Sequence, residues 1–181
     1  VGLSIALAAA LAGGFGVSAA ALAIAGARGD AGSFGTLVAL SMVLALAMLA
    51  VGLLVSSLAP RASVAAGVSV ALWLTFVLLT DLGLMGGSLV FKLGAPRLLH
   101  IALANPLQVF KLAVLARLNP TLDMLGPAGM YATTTYGRGL PWVFAGALAA
   151  WIALPLSAAA AAFKLEAGTT SPYAVAEDLL S

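Results

Sequence analysis

Cysteine is absent from this 181-residue chain, histidine occurs once, and only 8% of the residues are charged. Each shortage excludes a class of chemistry. Without Cys there is no disulfide, no thiolate metal ligand and no thiol nucleophile. His100 is alone, so no second imidazole can join it in a metal site. A soluble domain carries about 25% charged residues, which argues against a water-soluble globule. A net charge of +2 gives no basic footprint for nucleic acid. No Gly-x-x-x-x-Gly-Lys-Ser/Thr run exists, so the chain has no phosphate loop for ATP. No cofactor site is expected in the chain itself. The nearest thing to an intramembrane nucleophile is Ser69, in Gly67-Val68-Ser69-Val70-Ala71. It lacks the final Gly of a nucleophile elbow, and only His100 could serve as its base. An enzyme is therefore not expected.

What the chain does have is hydrocarbon. Hydrophobic residues make up 63% of it. Four stretches, Val1–Ala27, Phe34–Leu58, Ala62–Thr80 and Leu140–Phe163, contain no Lys, Arg, Asp, Glu or His. A bilayer core needs roughly 20 apolar helical residues to span it. The expected fold class is therefore all-α integral membrane, with four transmembrane helices. Residues 1–166 read as the membrane domain and 167–181 as a polar tail. Val1 enters apolar sequence directly, with no initiator Met and no basic n-region. That is not a signal-peptide pattern, and the chain reads as beginning partway through a longer protein.

The connections carry the information. Gly14 and Ser18, Gly16 and Ala20, Gly52 and Ser56, and Gly146 and Ala150 are spaced as small-xxx-small pairs, which favour close helix approach in lipid. Pro60 ends the second span, and Arg61 marks a membrane face. So short a link predicts a helical hairpin. Asp81 follows Arg61 by 20 residues, about 30 Å of helix, so it falls near the opposite face. There it could simply end the span, or serve transport or partner docking.

Between Leu82 and Gly139 the spacing predicts two or three short helices at, or dipping into, the interface. This segment holds five of the eight Lys and Arg residues: Lys92, Arg97, Lys111, Arg117 and Arg138. Asn105-Pro106 reads as N-cap and first helical position. The stretch Pro106–Leu118 reads as amphipathic, with a weak apolar stripe. Gly126-Pro127-Ala128-Gly129 reads as a turn. The last span starts near Leu140 and carries Pro155, expected to kink it.

Three blocks resemble a known family. Ser56-Ser57-Leu58-Ala59-Pro60-Arg61 leads through Gly67 to Ala71–Leu82. Asn105-Pro106-Leu107-Gln108-Val109-Phe110-Lys111-Leu112 follows. Thr121–Ala132, with Tyr136-Gly137, is last. In this order they resemble the C-terminal part of an ABC-2-type permease, nearest to the NosY branch that serves nitrous-oxide reductase maturation. The resemblance implies a six-helix permease that forms a homodimer, of which these spans are the third to sixth. It implies a separate cytoplasmic ABC ATPase that binds the ATP. In this branch a periplasmic accessory protein docks outside, and the complex supports assembly of the copper–sulfur centre of the reductase. The setting implied is the plasma membrane of a prokaryote. A generic ABC-2 exporter and a non-transporting membrane scaffold are the alternatives.

The same resemblance places the Arg61 turn in the cytoplasm and Leu82–Gly139 outside. Counting Lys and Arg by the positive-inside rule gives the reverse. The resemblance is preferred, because upstream helices can set orientation first. Asn105, Pro106, Phe110 and Lys111, with Asp81, Asp123 and Tyr131 nearby, are then expected to shape partner docking or gating. The plainer alternative is that Asn105 and Pro106 only cap a helix.

Overall fold

The computed structural model describes residues 9, 13–17, 31–79, 93–118 and 126–169. Among these residues every regular element is helical. Helix α1 is Ala31–Leu58 and α2 is Ala62–Leu74, which continues as one π-helical stretch, Thr75–Leu79. Two short helices follow, α3 (Ala95–Leu103) and α4 (Pro106–Leu118). Then come α5 (Gly126–Tyr136), a 3-10 turn at Gly137–Gly139, and α6 (Leu140–Thr169).

Two runs are long and apolar enough to cross a membrane, Gly32–Leu58 and Gly129–Lys164. They correspond to the second and fourth expected spans. Ala62–Leu78 is apolar but shorter, and its continuation toward Asp81 lies outside the described residues. Most of the first expected span does too, as do the Arg28–Asp30 turn and the tail beyond Thr169. Among the described residues of that first span, Phe15 meets Phe34 edge-on, with ring centroids 6.2 Å apart.

Helix α1 packs chiefly on α6. Its buried positions, Ala47, Ala50 and Val51, follow i, i+3, i+4 spacing and share one face. Two of the three are Ala, which lets backbones come close where lipid supplies no hydrophobic drive. The glycine pairs do not play that part within the described chain. A Cβ at Gly14, Gly16, Gly52 or Gly146 would meet nothing within 4 Å. Helix α2 contributes no buried residue, and Val64, Val68, Val70, Trp73 and Leu74 are all exposed.

The core lies at the other end of the bundle. Leu99, Ala102, Val109, Leu112, Ala132, Leu140, Phe144 and Leu148 form one buried cluster, with Leu40 and Val43 of α1 packed against it. The first half of α1 and the start of α6 therefore share one membrane face with α3, α4 and α5.

Of the two or three short helices expected between the last two spans, three are present among the described residues. Their character differs from expectation in two respects. The amphipathic one is α3, not α4: Leu98, Leu99 and Ala102 are buried while Arg97, His100 and Ile101 are exposed. In α4 the Gln108, Val109 and Leu112 side chains are all buried and Lys111 is half-buried, because α4 packs against both α1 and α6. Second, Gly126–Gly129 is the first turn of α5 instead of a loop; Pro127 sits where its missing amide costs nothing.

The junction between α5 and α6 depends on Gly137, which has φ +47°. A side chain in this left-handed region costs about 1–2 kcal/mol. Gly137→Val should destabilise the detergent-solubilised chain by that amount, read as a lowered melting midpoint, while Gly139→Val, at an ordinary backbone geometry, should cost less.

Candidate functional site

The break between α3 and α4 is held by bonds from several directions. The two helices meet at 112°, and three backbone hydrogen bonds close the turn: Ala104 N–H to His100 O (3.0 Å), Asn105 N–H to Ala102 O (3.2 Å) and Val109 N–H to Asn105 O (3.1 Å). Asn105 acts as the N-cap that the sequence signals. Its Oδ1 accepts the Leu107 amide at 2.9 Å, and Pro106 at the first helical position needs no partner.

The Asn105 side chain has a second bond. Its Nδ2 donates to the carbonyl of Phe76, 29 residues earlier in the π-helical stretch. The Phe76 ring meets Trp151 of α6 edge-on, with centroids 5.5 Å apart and planes at 84°. Trp151 Nε1 in turn donates to the Leu103 carbonyl at 3.2 Å, across 48 residues. Two segments distant in sequence, the π-helical stretch and α6, thus close on the α3–α4 tip. Beside it is an open apolar recess of about 190 Å³, lined by Leu103, Ala147, Ala150, Trp151, Leu154 and Pro155. Pro155 has no amide to offer the Trp151 carbonyl, so that oxygen lacks its usual helical partner.

Depth follows from two helices independently. Trp142 is 80% exposed at the start of α6, where an interfacial Trp belongs. Trp151 is nine residues farther on, about 14 Å along the helix. Arg117, at the far end of α4, borders a small cleft with Ser33, Thr36 and Leu37 of α1. Pro106 is eleven residues back from it, about 16 Å. Both values place the tip near the middle of a core about 30 Å thick. Since α3 packs on α5 and α4 returns to the start of α1, the pair enters and leaves on the same face. That course is the one a re-entrant hairpin takes, and the 112° bend between the two helices suits it.

The sequence matches the family described as ABC-2 family transporter protein over residues 1–166. The chain belongs to that family. No curated protein matches it significantly. It is thus a membrane protein and a permease component of a transporter, a class whose ATP hydrolysis resides in a separate ABC ATPase.

The permease brings some of the sequence-expected residues together and leaves others apart. Asn105 and Pro106 form the re-entrant tip and are buried. Phe110 and Lys111 are half-buried one turn farther along α4, and Tyr131 of α5 is half-buried against the core cluster. Asp81 and Asp123 lie outside the described residues. Arg61 caps the start of α2 with extended backbone, φ −147° and ψ 147°. It lies just beyond the last residue of α1, whereas Arg117 is beside the first turns of α1. The 28 residues of α1 separate these two charges by about 42 Å, so they belong to opposite membrane faces. No group of three His, Cys, Asp or Glu side chains comes together among the described residues.

Sequence reasoning misses Phe76, Gln108 and Trp151. Trp151 carries a usable signal. An indole N–H in the middle of a charge-free span needs a partner, because no water is there to supply one. Gln108, 5% exposed, carries a similar signal as a polar amide within an apolar run.

Proposed function

We propose that the chain is the membrane-spanning subunit of an ABC-2 transporter and that the α3–α4 re-entrant hairpin is its outward gate. The observation that carries this reading is the mid-membrane tip. A hairpin that penetrates halfway and is satisfied by its own polar contacts can close a path without sealing it permanently. Residues 1–166 serve as the transmembrane domain and 167–181 as a short tail. Two copies pair in the plasma membrane of a prokaryote, and the separate ATPase binds ATP and drives them. Asn105, Pro106, Phe110, Lys111 and Tyr131 shape the gate, and Asp81 and Asp123 take part in partner docking or gating. The Arg61 turn faces the cytoplasm and the α3–α5 segment faces outward, where a periplasmic accessory protein docks.

Within the family, the three sequence blocks favour nitrous-oxide reductase maturation. A strain lacking the gene should make reductase polypeptide without its copper–sulfur centre, and plasmid-borne chain should restore it. Normal centre assembly in the deletion strain would leave a general exporter instead.

Orientation has a direct test, made clean by the absence of native Cys. Arg117→Cys should react with a membrane-impermeant maleimide from outside intact cells, and Arg61→Cys only after the membrane is opened. Labelling of position 61 from outside would invert the assignment.

A further inference from the structure

The contacts at the re-entrant tip exceed what holding a helix end requires. Capping α4 needs only the Asn105 Oδ1 bond to the Leu107 amide. The Nδ2 bond to Phe76, the Trp151 bond to Leu103 and the Phe76–Trp151 ring contact do something else. They tie the tip to α2 on one side and to α6 on the other, and they tie those two elements to each other.

We propose that Asn105, Phe76 and Trp151 form a reversible latch that holds the re-entrant hairpin shut over the apolar recess beside α6. This rests on the gate reading above and names the residues that set its equilibrium. They are positioning residues.

Two features make the set a latch rather than a fixed joint. First, both tethering bonds use one side-chain donor and one backbone carbonyl, so either can part without distorting a helix. Hydrogen bonds between membrane helices are individually weak, so the closed state is held by a small margin that a driving subunit can overcome. Second, the elements around the tip have room to move. Leu103 and Trp151 border an unfilled recess of about 190 Å³, and α2 has no buried side chain anchoring it. The π-helical stretch that presents the Phe76 carbonyl is an irregularity of the kind found where helices serve function. Opening moves Leu103 away from Trp151 and joins the recess to the outer face.

The test uses the full chain in proteoliposomes, with Ala147→Cys as a reporter at the recess. Ala147 lines the recess and is half-buried, and no other thiol competes. Trp151→Phe keeps the ring and removes the N–H. Asn105→Ser keeps a good N-cap but is too short to reach Phe76. Each should raise the rate at which a water-soluble maleimide modifies the reporter thiol about threefold, the equivalent of one average intramembrane hydrogen bond. Ser157→Ala deletes a local bond to Leu154 O on the same helix and should leave the rate unchanged. Melting midpoints are measured in parallel. Faster labelling with little loss of melting temperature supports the latch. A lowered midpoint with unchanged labelling, or equal acceleration by Ser157→Ala, would overturn it and leave only a structural role. The labelling needs no ATPase. A chain that shows this pattern yet binds no ATPase would refute the transporter reading and leave the latch intact.

Discussion

Replacing Phe144 with Ala should cost roughly 2–3 kcal/mol, the largest loss expected from truncating a single side chain of this fold. Phe144 is 1% exposed and belongs to the cluster that joins α3, α4, α5 and α6. In water-soluble proteins a buried Phe→Ala change costs about 3–5 kcal/mol. Part of that figure is transfer from water, and lipid tails are as apolar as the core, so that part shrinks here. What remains is lost packing and an unfilled cavity. Phe163→Ala, 56% exposed on the same helix, should change stability far less. Denaturant or thermal midpoints in mild detergent measure both. Equal losses at the two positions would mean that α6 is not packed as described.

The second large effect runs the other way, through added bulk. Ala47 is fully buried on the face of α1 that carries Ala50 and Val51. Ala47→Leu forces extra carbons into that packed face. Overpacking costs about 1–3 kcal/mol, and backbones held together through Ala have little room to relax. Leu46, one position along, is 41% exposed. Leu46→Ala should be nearly neutral, since lipid replaces what is removed. Yield of folded protein and its melting midpoint give the comparison. Tolerance of Leu at position 47 would contradict the α1–α6 seam.

The long spans are legible because hydropathy needs no tertiary knowledge. Sequence predicts Phe34–Leu58 and Leu140–Phe163, and the helices run Ala31–Leu58 and Leu140–Thr169. The Asn105-Pro106 cap is legible for a similar reason, since capping is a matter of adjacent residues. The amphipathic assignment fails where neighbours decide. Lys111 suggests a wet side to α4, yet α1 and α6 cover that helix from two directions. Gly126-Pro127-Ala128-Gly129 misleads because Gly and Pro mark both turns and helix starts. The tethers at the tip are out of reach. The Trp151 N–H signals in sequence that it needs a partner, but not which one, and only the fold brings it to Leu103 and the Phe76 carbonyl to Asn105, across 48 and 29 residues. The glycine pairs suggest close helix approach, but a Cβ added at Gly52 or Gly146 would meet nothing within 4 Å.

The central claim is that this chain is the membrane half of an ATP-driven transporter. Affinity purification of the chain from native membranes in mild detergent tests it most directly. The account predicts that an ABC ATPase bearing its own phosphate loop co-purifies in stoichiometric amount, and that the complex hydrolyses ATP. Recovery of the folded chain without any ATPase, from membranes in which candidate ATPases are present and soluble, would contradict it.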